Sequence, residues 1–177
     1  MKSSFLDADF KQLAELWSQF YPERYRVSED MLRTHTVDSP TFDWGASTIA
    51  YRDGVPIAMA AVKRSSASLY SVRDRDRYHL AFLAYTEPLA AAEMLDDMRR
   101  LLIFRGASSI QFGQDNRHLF PGCPEDCPKL REFLEIHGFQ PGEVVVDLER
   151  DLADFEPQVP VPDGVDVRPL ADDETEP

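Results

Sequence analysis

Residues 78–104 read YHLAFLAYTEPLAAAEMLDDMRRLLIF, and the way this stretch changes period decides the fold. Tyr78 to Tyr85 is a nearly unbroken apolar run of strand length, the pattern of a strand covered on both faces. After Thr86-Glu87-Pro88 the period lengthens. Met94, Leu95, Met98, Leu101 and Leu102 form one stripe with Asp96, Asp97, Arg99 and Arg100 off it, which predicts a helix from Pro88 to Phe104 that stops before Gly106. Ser108–Gly113 reads as a short strand, and a strand, helix, strand succession of this length implies a right-handed crossover to a parallel neighbour.

Upstream, Ala46–Tyr51 and Val55–Lys63 are β-leaning runs separated by Arg52-Asp53-Gly54, a strong hairpin signal. With Tyr78–Tyr85 they make a three-stranded meander, so the sheet is mixed. Phe10, Leu13, Leu16, Trp17 and Phe20 predict an amphipathic helix from Asp9 to Phe20, ended by Tyr21-Pro22, and Ser28 caps a shorter helix reaching toward His35. Downstream, Lys129–His137 reads as a helix stopped at Gly138, and Val144–Leu148 as a strand. Prolines in FEPQVPVPDG mark an extended linker, so residues 1–155 are expected to form one domain and 156–177 a linker plus a further strand.

The chain has 177 residues, 43% of them hydrophobic, which suits one domain with a sizeable core. Its net charge of -13 opposes polyanions, so nucleic acid is not expected as a partner. No stretch approaches the length of a membrane span, and the N-terminus has no signal-peptide core; a cytoplasmic protein without a membrane partner is the expectation. Two cysteines in CPEDCP are too few for a disulfide framework. His118, Cys123, Cys127 and His137 match no common zinc spacing, so no metal is expected.

The order helix, helix, hairpin, long strand, helix, strand, helix, strand resembles the GNAT superfamily of acyl-CoA N-acetyltransferases, an α/β fold with a mixed, mostly antiparallel twisted sheet and helices on both faces. Tyr78–Leu148 carries most of the likeness. LREFLEIHGF (130–139) is similar to the family's late helix with its Gly-Phe end, and GQDNRHLFPGCP (113–124) to a segment of some tandem-repeat members. The resemblance implies acetyl transfer from acetyl-CoA to a small-molecule amine, with the backbone of Leu83, Ala84 and Tyr85 holding the thioester arm and the turn at Leu89, Ala90 and Ala91, together with Asn116, holding the remainder of the cofactor. The family's turn is Gln/Arg-x-x-Gly-x-Gly/Ala, whose glycines let amides approach the pyrophosphate at a helix N-terminus. Here Leu89 stands at the first glycine, Pro88 removes an amide, and Glu87 and Glu93 bring negative charge. The family's general-acid tyrosine corresponds to Leu134.

Glu87, Asp115 and His118 are the candidate catalytic groups. Glu87 reads either as a base or as a first-turn carboxylate facing the helix dipole. Asp115, Asn116 and His118 follow the C-terminal end of a strand, where open α/β sheets place their sites, and loop capping is the competing reading. Trp17, Phe20, Tyr21 and Tyr25 read either as core or as a groove lining. Family members begin with a strand, which this reading places at Val165–Leu170, within GVDVRPLADDE (164–174). That segment either opens a second GNAT half or folds or swaps onto this sheet. The alternative function is accordingly a non-catalytic module that packs, dimerises or binds substrate.

Overall fold

The computed structural model describes residues 1–65, 76–115 and 117–146, with single positions at 153, 162, 164 and 165. The chain divides into two units, Met1–Val145 and Val146–Pro177, and the first contains every helix and strand described. Five strands form one sheet in the order β1 (Lys2–Ser3), β2 (Thr48–Arg52), β3 (Val55–Arg64), β4 (Arg77–Tyr85), β5 (Ser109–Phe112). All neighbours are antiparallel except β4 and β5, which run parallel. Asp53 and Gly54 both take positive φ, the twist a two-residue hairpin needs.

Asp9 caps α1 (Phe10–Phe20) by accepting the Lys11 and Gln12 amides, and Ser28 caps α2 (Glu29–His35) through the Met31 amide. The long strand leads into α3 (Pro88–Phe104), and α4 (Pro128–Ile136) follows the β5 loop. Residues 78–85 are buried at every position, so both faces of β4 are covered. Helix α1 and helix α3 each pack on β3 and β4. Trp17, Phe82, Leu83, Met94 and Leu95 lie at the centre of the core.

Two register shifts interrupt the regular ladder. Ala61 pairs with Phe82 while Val62 pairs with Leu80, leaving Ala81 as an extra residue in β4; Ala50 pairs with Ala58 while Tyr51 pairs with Pro56, leaving Ile57 extra in β3. Bulges of this kind bend a strand and re-aim its peptide groups.

Two expectations are corrected. A strand does precede the first helix: Lys2 and Ser3 pair with Ala50 and Ile49, and the Met1 ammonium donates to the Tyr51 carbonyl. Two polar residues carry no alternating pattern, so only the waiting edge of β2 makes them a strand. Conversely, Val144–Val146 are not in a strand and stand 87%, 46% and 77% exposed. β-propensity expresses packing on a sheet, and these valines have none beneath them. Asp147–Leu148, residues 66–75 between β3 and β4, and the strand expected at Val165–Leu170, apart from Val165, lie outside the described residues.

Candidate functional site: the gap between β4 and β5

The pairing of β4 with β5 ends where the Gly113 amide donates to the Leu80 carbonyl at 2.9 Å. From there β4 continues to Tyr85 without β5 beside it. The Ala81 bulge turns the Leu83 carbonyl away from β3 and into this gap, where the Tyr21 hydroxyl donates to it at 2.7 Å. Burial pushes that hydroxyl well above its ordinary pKa, so it stays protonated and keeps donating. Phe120, delivered by the loop after β5, stacks on Trp17 with ring planes 4° apart and packs against Tyr21 and Tyr25. From the other side Tyr85 meets Phe20 and Phe133 at 4.5 and 4.8 Å. Tyr21, Phe82 and Phe120 are buried, so these aromatics belong to the core, with Phe20 and Tyr25 on its rim. A cavity of about 220 Å³ lies between Trp17, Tyr21 and Arg26, and a second, open one runs along the outer side of α1; neither is lined by Leu83–Tyr85.

At the turn into α3 the amides are mostly committed. The Ile57 carbonyl, freed by its bulge, accepts from the Thr86 amide at 2.9 Å and the Glu87 amide at 3.4 Å. Pro88 has none, and the Ala91 amide closes the helix on the Glu87 carbonyl. Leu89 and Ala90 keep the two amides that face outward, under a Leu89 side chain 81% exposed, while Ala91 is sealed in the core. Glu87 is joined by Arg52 from the hairpin turn at 2.5 Å. This cation, distant in sequence, offsets the negative charge that Glu87 brings to the turn.

The three candidate catalytic groups do not converge. Glu87 sits at the α3 end of β4 with Arg52. Asp115 is buried with Lys63, its Oδ2 2.5 Å from Nζ and both side chains 1% exposed. Its Oδ1 has no partner, nor does the buried Nδ1 of His35. His118 is exposed and donates from Nδ1 to the Asp115 carbonyl at 3.1 Å. Asn116 lies outside the described residues. Leu134 is buried and His137 ends α4 with its ring against Phe133 and its carbonyl accepting from Arg99. Among the described residues no three His, Cys, Asp or Glu side chains converge to hold a metal ion, and burial pushes both cysteine thiols up to about 11. No described helix is long and apolar enough to cross a membrane.

Sequence reasoning missed Lys63 and Phe120. Lys63 ends an apolar run and reads as a strand's solvated tip, and Phe120 sits in a loop with no period. The proline and glycine around Phe120 were the available signal of a loop tied down by something apolar.

A β4 that bulges and then parts from a parallel β5, with α3 packed behind, decides the architecture. The chain has the GNAT fold. An aminoglycoside 6'-N-acetyltransferase from Acinetobacter haemolyticus superposes with a TM-score of 0.57 at 14% identity, over 86% of this chain and 99% of that one. The ribosomal-protein-S18-alanine N-acetyltransferase from Escherichia coli gives 0.57 at 13%, over 81% and 79%. AAC(6')-Iy in complex with a bisubstrate analog, CoA-S-monomethyl-acetylneamine, gives 0.56 at 14%, over 85% and 97%. The sequence itself matches no family model and no curated protein. The GNAT likeness is thus one of fold, with little of the neighbours' sequence retained.

Proposed function

We propose that this chain is a cytoplasmic GNAT-fold module that does not grip acetyl-CoA at the turn after β4, and that it serves an acetyltransferase-type protein by packing against a catalytic half, dimerising or holding substrate. One observation carries this reading: the Tyr21 hydroxyl occupies the Leu83 carbonyl in the gap where the resemblance puts the thioester arm. A cofactor entering there has to break a buried hydrogen bond and move the Trp17–Phe120 stack before it gains anything. The turn adds to the case, since two outward amides beneath an exposed leucine make a poor phosphate cradle. The proposed second half rests on GVDVRPLADDE, whose likeness to a GNAT first strand leaves residues 156–177 as a spacer and an opening strand.

Isothermal titration with acetyl-CoA, paired with thermal melts, tests this. We expect no heat and no melt shift at millimolar ligand. A ligand at a hundred times its Kd stabilises by about 2.7 kcal/mol, so micromolar binding would be plain in both measurements and would overturn the proposal.

A second reading is acetyl transfer from acetyl-CoA to an amine, favoured by the parting of β4 from β5 beyond Leu80. In that reading His118 is the base best able to meet a substrate, because Glu87 is held by Arg52 and Asp115 is sealed with Lys63. Turnover of acetyl-CoA against a panel of aminoglycosides, polyamines and N-terminal peptides, abolished by His118→Ala, would establish it.

A further inference from the structure

A second constellation lies four residues back along β4 from Leu83, about 13 Å away at strand rise, and the β4–β5 gap makes no use of it. Ser65 follows the last residue of β3 and is half-buried; His79 stands on β4 and is buried. The Ser65 Oγ is 3.1 Å from His79 Nε2, and His79 Nδ1 is 2.9 Å from the Gly113 carbonyl oxygen. A carbonyl only accepts, so Nδ1 carries the proton and Nε2 is left as the acceptor; the Ser65 hydroxyl must therefore donate to it. Hydroxyl, imidazole and orienting acceptor stand in the order that activates a nucleophile.

The orienting carbonyl is itself held in place. Gly113 has φ +66°, and a Cβ there would lie 2.6 Å from the Phe120 carbonyl oxygen, so the turn that aims it admits only glycine without rearrangement. Burial keeps His79 below its ordinary pKa, which leaves the imidazole neutral and able to take a proton near pH 7. The adjacent Lys63–Asp115 pair carries no net charge.

We propose that Ser65 is a nucleophile activated by His79 and positioned through the Gly113 carbonyl, and that it accepts acyl groups from activated carboxylic esters. Oγ attacks the ester carbonyl carbon while its proton passes to Nε2. The carbon–oxygen bond to the leaving group breaks, and the departing alcohol or phenol takes that proton. An acyl ester remains on Ser65.

The test is incubation of the intact chain with p-nitrophenyl acetate, with acetylated sites assigned by peptide mass spectrometry. Ser3, Ser18 and Ser28 serve as internal references. General-base assistance is worth about 10²–10⁴-fold, so Ser65 is expected to label at least about tenfold faster than these serines, and His79→Gln should bring it down to their rate. Ser65→Ala should remove the labelled peptide while the chain still unfolds in a cooperative transition, at a somewhat lower midpoint because His79 Nε2 loses its donor. Labelling of Ser65 no faster than Ser3 and Ser18 overturns the proposal from the intact chain alone, even should His79→Gln fail to fold. Equal labelling in a folded His79→Gln variant overturns it too. No acyl-CoA enters the experiment, so the outcome is independent of the reading of the β4–β5 gap.

Discussion

Lys63 and Asp115, 52 positions apart in the chain, meet at 2.5 Å in the interior with each side chain 1% exposed. Their pairing ties the loop after β5 to the end of β3. Removing one member leaves an uncompensated buried charge, so Lys63→Met is expected to cost about 3–5 kcal/mol, and Lys63→Met with Asp115→Leu markedly less. Urea denaturation of the three proteins measures this; a double variant as unstable as the single one would show that the loop needs the charges themselves.

Tyr21→Phe removes the donor to Leu83 and leaves a buried carbonyl unpaired. The expected loss is about 1–3 kcal/mol, read by urea denaturation, with α1 otherwise intact by circular dichroism. A loss below about 0.5 kcal/mol would mean that water reaches the carbonyl, and the gap would then be more open than the aromatic packing implies.

Gly113→Ala forces a side chain into a left-handed backbone and against the Phe120 carbonyl, whereas Gly54→Ala meets only the backbone cost, with open space around it. We expect about 2 kcal/mol or more for the first and about 1 for the second. Comparing their chemical denaturation midpoints isolates the contact, and equal midpoints would remove it from the account.

His79 and His35 both sit below the ordinary imidazole value, His79 by burial against the opposing pull of its Gly113 bond, His35 by burial and the nearby Lys63 charge. Unfolded, each titrates near 6.5, so from there down to the lower folded value the unfolded chain binds more protons. Stability is therefore full above about pH 6.5 and falls as the pH drops through that window. Asp43, whose burial is outweighed by Arg64, Arg105 and the Ala46 amide, is held below the usual carboxylate range and loses its contribution only at more acidic pH. Urea midpoints at pH 7.5, 6.5 and 5.5 should decline, and His79→Asn should flatten part of the decline. Midpoints that hold steady or rise on acidification contradict the buried neutral imidazoles.

Glu87→Gln breaks a pair at the surface between an exposed Arg52 and a half-buried Glu87. Such pairs contribute under about 1 kcal/mol, so thermal stability should hardly move. If a titration detects acetyl-CoA only in this variant, negative charge at the turn was the obstacle there.

What the sequence determined by itself was the set of elements: α3 runs over Pro88–Phe104 as the stripe from Met94 to Leu102 requires, Asp9 and Ser28 cap the helices they precede, and Asp53-Gly54 turns the hairpin. These features are local, since helical period, cap chemistry and the freedom of glycine at positive φ act within a few residues. The missing glycines at the turn after β4 were legible for the same reason. Tertiary structure alone decided the state of the site. Tyr21 reaches Leu83 across 62 positions, Lys63 reaches Asp115 across 52, and Arg52 reaches Glu87 from another hairpin. The edge of β2 makes a strand of Lys2–Ser3, while Val144–Val146, with equal or better strand-forming side chains, lie outside any described strand and largely exposed. Such partners are chosen by sheet register and by the two bulges that re-aim Leu83 and Ile57, and a shift of one residue in register depends on packing summed over the whole core.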